Sequence, residues 1–158
     1  MMNELQRTQR FQQLIKPDIS QKELIALSEK LIAKEVRQLI DAPNIGNLLK
    51  EMGDVITVVT GLANALGVNI EDVLRLVNDS NMSKMCLNEE ECIKTEKAFA
   101  EIGLETYTLH LDDCFGVYSA RDQLDVIGNQ YTKDKLLKPI RFAAVNKGEL
   151  AKLARIEL

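Results

Sequence analysis

Apolar residues recur at helical spacing through much of the chain. From Ser20 the spacing of Leu24, Leu27, Leu31, Val36 and Leu39 predicts a long amphipathic helix, and Ser20 followed by Glu23 forms its capping box. This helix is expected to reach about Ala42, where Pro43 and Asn44 interrupt it. Leu48, Leu49, Met52, Val55, Ile56, Val59, Leu62 and Leu66 then predict a second, richly apolar helix that Gly67 is placed to end. So short a connection forces a near-antiparallel hairpin, with the later part of the first helix beside the first half of the second. Asn69 caps a third helix that carries Val73, Leu74, Leu76 and Val77 and fades near Ser80. A further helix starts at Asn88, with Glu89, Glu90 and Glu91 in its first turn; dipole and capping roles account for these acids, and Glu91 sits at the capping-box position.

Beyond Gly103 the period changes to alternation. Leu104, Thr106, Thr108 and His110 fall on one side and Glu105, Tyr107, Leu109 and Leu111 on the other; Asp112 and Asp113 make a turn before Phe115 to Ser119, which predicts a β-hairpin. A last short strand is expected around Leu136 to Ile140, joining it. The reading is therefore mainly α: an antiparallel helical bundle with a small C-terminal α+β hairpin appendage. A helical module over residues 1–87 and the helix-plus-hairpin appendage over 88–158 are expected to pack as one domain.

With 46% hydrophobic and 28% charged residues, a chain of 158 can build a core by itself or as a subunit of a small oligomer. Its net charge of −4 and dispersed lysines and arginines argue against a nucleic-acid polymer as partner. Val55 to Val68, the longest apolar stretch, is broken by Thr57, Thr60, Gly61, Asn64 and Gly67, so no membrane span is expected. No secretory h-region follows Met1, and the expected location is the cytoplasm. Cys86, Cys92 and Cys114 lack paired spacing and read as free thiols, while His110, the sole histidine, has no partners for a triad or a zinc site.

Chemistry concentrates on the helical hairpin. Glu51 and Asp54 lie three positions apart on one face of a helix crowded with Met52, Val55, Ile56, Val58 and Val59, where two acids repel and lose hydration. Across the hairpin stand Glu35 and, three positions on, Gln38, with Lys34 before and Arg37 between. Four oxygen-bearing side chains can thus gather around a divalent cation such as Mg²⁺, which takes oxygen ligands and completes its shell with water and phosphates. On spacing alone an internal salt-bridge cluster, with Glu51 and Asp54 paired to Arg37 or Lys34, accounts for the same acids.

The order Lys34-Glu35-Val36-Arg37-Gln38-Leu39, Glu51-Met52-Gly53-Asp54-Val55, Gly61-Leu62-Ala63, Leu66-Gly67 and Ser80-Asn81-Met82-Ser83-Lys84 resembles the MazG-like all-α nucleoside-triphosphate pyrophosphohydrolases, the phosphoribosyl-ATP pyrophosphohydrolase-like superfamily. Their pattern is EExxE, then ExxD, then a downstream asparagine and lysine. The similarity spans about residues 20 to 85, and Asp134-Lys135-Leu136-Leu137-Lys138 is similar to a Gly-Lys-Val-Leu-Lys element of smaller members. The resemblance implies Mg²⁺, with Mn²⁺ as substitute, held by Glu35, Glu51 and Asp54 with Gln38 as a neutral oxygen donor. It implies nucleotide or phosphate contacts at Asn81 and Lys84, with Lys34 and Gln38, and more weakly Lys135 and Lys138, as further substrate-binding positions. The implied activity is hydrolysis of a nucleoside triphosphate to its monophosphate and pyrophosphate in nucleotide-pool housecleaning. Lys34 and Gln38 stand where the family pattern has acids, and the alternative is a catalytically degenerate nucleotide-binding or assembly protein on the same scaffold. Apolar helix faces that one copy cannot cover imply a homodimer or homotetramer.

Overall fold

The computed structural model describes residues 1–15 and 17–154. The architecture is mainly α. Six helices lie among the described residues: α1 (Glu4–Leu14), α2 (Gln21–Ile40), α3 (Ile45–Ala65), α4 (Ile70–Met82), α5 (Glu89–Glu101) and α6 (Lys147–Leu153). Four short strands, β1 (Thr106–Leu111), β2 (Cys114–Ser119), β3 (Gln123–Leu124) and β4 (Gln130–Tyr131), form two antiparallel pairs. Two compact units are distinguished: Met1–Leu74 with α6, and Arg75–Asn146.

In the first unit α2 and α3 form the expected hairpin. The Ser20 side chain accepts from the Glu23 N–H while the Glu23 carboxylate accepts from the Ser20 N–H at 2.9 Å, a reciprocal box. The helix stops at Ile40 rather than Ala42, because Pro43 excludes the residue before it from helical φ/ψ. Asn44 caps α3, and Gly67, at φ +68°, ends it: the Val68 N–H reaches the Ala63 carbonyl at 2.9 Å and the Gly67 N–H that of Asn64 at 3.0 Å, a Schellman motif.

α1 is absent from the apolar pattern because it buries no residue and carries few apolar side chains. Amides hold it instead. Asn3 and Gln6 form a capping box, Asn3 and Gln6 both donate to Glu71, and Gln9 and Asn64 exchange two hydrogen bonds of 3.0 Å, from Gln9 Nε2 to Asn64 Oδ1 and from Asn64 Nδ2 to the Gln9 carbonyl.

The second unit is built on the β1–β2 hairpin, whose register runs from Thr106 opposite Ser119 to Leu111 opposite Cys114, with Asp112 at φ +41° in the turn. Cys86, Cys92, Val117 and Leu137 make its core, flanked by Phe99, Phe115 and Tyr131. All three cysteines are free, and Cys86 and Cys92 are buried. Burial, then the neighbouring Cys86, pushes the Cys92 thiol up to about 12.

Two details differ from the sequence reading. Asn88 caps α5, but the Glu91 carboxylate reaches past Asn88 to the Leu87 N–H at 2.8 Å, with its other oxygen on Arg141 at 2.9 Å. The chain at 136–140 makes no strand: Leu136 forms one bridge to Tyr118, the Leu137 N–H donates to the Val117 carbonyl at 2.8 Å, and Pro139 has no N–H to extend a ladder. No single helix among the described residues is long and apolar enough to cross a membrane.

Candidate metal and phosphate site

The α2–α3 hairpin brings together the three acids that spacing had placed on facing helices. Glu35 and Glu51 are buried, Asp54 is partly exposed, and one carboxylate oxygen from each lies within 4.8 Å of the others. Ligands on opposite sides of a magnesium ion stand about 4.2 Å apart. Of three ligands at most one pair can be opposite and neighbours stand about 3.0 Å apart, so side-chain rotations that draw the oxygens together by up to about 2 Å convert the cluster into a ligand set.

The charges are arranged asymmetrically. Lys34 Nζ sits 3.0 Å from Glu35 Oε1, and Lys50 Nζ bridges Glu51 Oε1 at 3.0 Å and Asp54 Oδ2 at 2.8 Å. These hydrogen bonds, that to Asp54 first and that to Glu51 next, raise the Lys50 ammonium above the ordinary lysine range. Three carboxylates against two ammonium groups leave one net negative charge. Glu51 Oε2 is buried without a hydrogen-bond partner. Such an oxygen loses hydration and gains nothing in return, a cost of roughly 1–3 kcal/mol that a cation beside it removes. The donor set, hard oxygens only with one of them unpaired, fits a magnesium-like ion.

The internal salt-bridge pattern expected as the alternative takes a different form. Lys50, and neither Arg37 nor Lys34, pairs with Glu51 and Asp54, and Arg37 forms no ion pair among the described residues. Lys50 was legible as the i,i+4 partner of Asp54. Arg37 instead lines a cavity of about 550 Å³ with Lys34, Gln38, Asp41 and Glu51. Two cationic side chains and the acid cluster thus share a wall at Glu51, and exposed Gln38 stands on the rim.

The remaining predicted residues lie in the second unit. Lys84 Nζ donates to Asn81 Oδ1 at 2.8 Å, pairing the two at the end of α4. Lys138 Nζ lies 4.5 Å from the centre of the Phe142 ring and Lys135 Nζ 5.1 Å from that of Tyr131. Asp134, where the similar element has glycine, adopts φ +62°. The left-handed turn that glycine favours is thus kept by a residue that tolerates it.

The family model for phosphoribosyl-ATP pyrophosphohydrolase matches residues 2–81, a span that holds α1, α2, α3 and all three acids. An uncharacterized protein of Acanthamoeba polyphaga mimivirus is 30% identical over 95 residues, which cover 57% of this chain and 38% of that relative. The chain therefore spans well under half the length of the curated relative it matches. No solved structure matches. The family is typically metal-dependent, and its activity is of the pyrophosphohydrolase kind. The chain belongs to the phosphoribosyl-ATP pyrophosphohydrolase family, within the MazG-like nucleoside-triphosphate pyrophosphohydrolase superfamily.

Proposed function

We propose that this chain hydrolyses a nucleoside triphosphate to its monophosphate and pyrophosphate with Mg²⁺, or Mn²⁺ in its place, held by Glu35, Glu51 and Asp54. The observation that carries this reading is the buried, unpartnered Glu51 Oε2 within a trio of acids drawn from two helices. When bound, the ion supplies neutralisation of phosphate charge and acidifies the attacking water.

The chain's own residues do the rest. Glu35 and Glu51, carried on the rigid helical hairpin, would hold the ion and through it position the reacting phosphate. Lys50, released from Glu51 and Asp54 when a cation takes its place, is free to meet a phosphate oxygen as a point charge. Lys34 and Arg37 line the adjoining cavity and receive the pyrophosphate end, Arg37 with a planar fork suited to phosphate. Gln38 offers a carbonyl oxygen to the ion. A second copy of the chain covers the exposed Ile40, Leu49, Met52 and Ile56 of α2 and α3.

The test is pyrophosphate release from a panel of normal and modified triphosphates with either metal. Glu51→Ala and Asp54→Ala should abolish it, and failure to turn over any substrate would remove the reading. A second reading, a nucleotide-binding protein that no longer turns over, is favoured by the ammonium of Lys34 lying 3.0 Å from Glu35 where the family pattern has another acid. It predicts nucleotide binding without hydrolysis and a gain of activity in the Lys34→Glu, Gln38→Glu double variant.

A further inference from the structure

A second cavity, of about 760 Å³, opens between α1 and the α2–α3 pair. Its wall holds no charged side chain among the described residues; the polar groups are mostly amides, with the Ser28 hydroxyl, facing an apolar side formed by Leu24, Leu27 and Leu31. Asn64 is committed to Gln9, whereas the amides of Gln12 and Gln13 have no hydrogen-bond partner among the described residues. Ser28 and Gly61 add little side-chain volume to the wall, and the Gln12 side chain lies against Gly61. A Cβ on Gly61 would meet Gln12 Oε1 at 2.9 Å.

The position of this cavity along the hairpin follows from helix geometry. Ser28 precedes Glu35 by seven residues on α2, and Gly61 follows Asp54 by seven residues on α3. In an antiparallel pair both displacements run the same way, and seven residues return to the same helix face about 10 Å along the axis. The groove therefore reads in order as the amide-lined cavity, then, two turns further on, Lys34 with the acids Glu35 and Asp54, then Arg37 and Glu51.

We propose that this cavity seats the nucleobase of the substrate, a neutral, planar heterocycle read by the free amides of Gln12 and Gln13 and packed against the leucine wall. The orientation of the nucleotide rests on the pyrophosphohydrolase reading; the cavity's preference for such a ring rests on its own lining. Among the described residues a phosphate finds no cation there. A side-chain amide offers a donor and an acceptor side by side, which matches the edge of a base, and apolar side chains match its faces. With the base in this cavity the polyphosphate runs across the acids toward Arg37, so cleavage between the first and second phosphates leaves the monophosphate on the cavity side and pyrophosphate on the cationic side.

Saturation-transfer NMR of the full chain with free adenosine, guanosine, cytidine and uridine, without metal, tests the cavity independently of turnover. Wild type should show contact to the base protons of at least one nucleoside, and Gly61→Val, which fills the space, should lose it. Gln12→Leu, on a partly exposed face of α1, guards against misfolding. It should change the ratio of kcat/KM between favoured and disfavoured bases by roughly tenfold or more, leaving the metal-induced rise in Tm unchanged. No contact from any nucleoside to wild type, or equal contact in wild type and Gly61→Val, overturns the assignment. Nucleoside contact with no turnover of any triphosphate supports the cavity and removes the hydrolase reading alone.

Discussion

Replacing Glu51 by glutamine isolates charge from shape at the centre of the acid cluster. In the metal-free protein Glu51 uses one oxygen on Lys50 at 3.0 Å and holds the other buried without a partner. Glutamine preserves the volume and an oxygen for Lys50, so metal-free stability should change by no more than about 1 kcal/mol. The metal response should differ. At a hundredfold excess over Kd a ligand of the folded state adds about 2.7 kcal/mol, and about 2–4 °C per kcal/mol for a chain of this size gives a rise in Tm of about 5–11 °C. Loss of one charged ligand, at roughly 1.5–3 kcal/mol, weakens binding about 10- to 150-fold. At the same metal concentration the gain then falls to roughly 0.3–1.4 kcal/mol, a rise of about 1–6 °C. The chain has no tryptophan, so the melt is followed by far-ultraviolet circular dichroism with Mg²⁺, Mn²⁺ or chelator. Equal shifts in wild type and Glu51→Gln, or none in wild type at millimolar metal, would refute the reasoning.

Further outcomes concern both units. Leu137→Ala, in the core with Cys86, Cys92 and Val117, should cost about 2–5 kcal/mol in urea unfolding. Asn88→Ala removes the cap of α5 and should cost about 1 kcal/mol, most of it restored by Asn88→Asp. For Asp125, burial pushes the carboxyl up, but hydrogen bonds from the Asn129 backbone and side chain and from the Ile127 and Gly128 N–H groups outweigh it and leave the group below the usual aspartate range. Its contribution is therefore full above about pH 4 and fades as pH falls through the lower folded value, so melts between about pH 2 and 5 should show an acid limb that Asp125→Asn flattens. Iodoacetamide at about pH 8 should label the half-buried Cys114 well before Cys92, whose thiol is held up at about 12; labelling of Cys92 first would contradict that burial.

What the sequence showed of this molecule depended on how each feature is encoded. The α2–α3 hairpin was legible because apolar residues repeat at helical spacing between Ser20, Pro43 and Gly67, and the acids stood out because charge interrupts that repeat at Glu51 and Asp54. α1 escaped because Gln9, Gln12 and Gln13 present no apolar stripe; its signal was the Asn3–Gln6 box, a pair too short to announce a helix alone. β3 and β4, of two residues each, fall below any alternation that could be counted. The amide-lined cavity is a matter of missing volume beside Ser28 and Gly61, on helices whose register only the fold supplies.

Lys50 has a consequence for the order of events in the cell. By spanning Glu51 and Asp54 it acts as a counter-ion carried on the chain itself, so the hairpin can close without waiting for metal. On the proposed metal-dependent reading, ion capture would be an exchange between two cations, one tethered and one diffusing, in which the tether sets how scarce the free ion must be before the site reverts. A protein wired this way would mature without the divalent ion and stand ready for recharging.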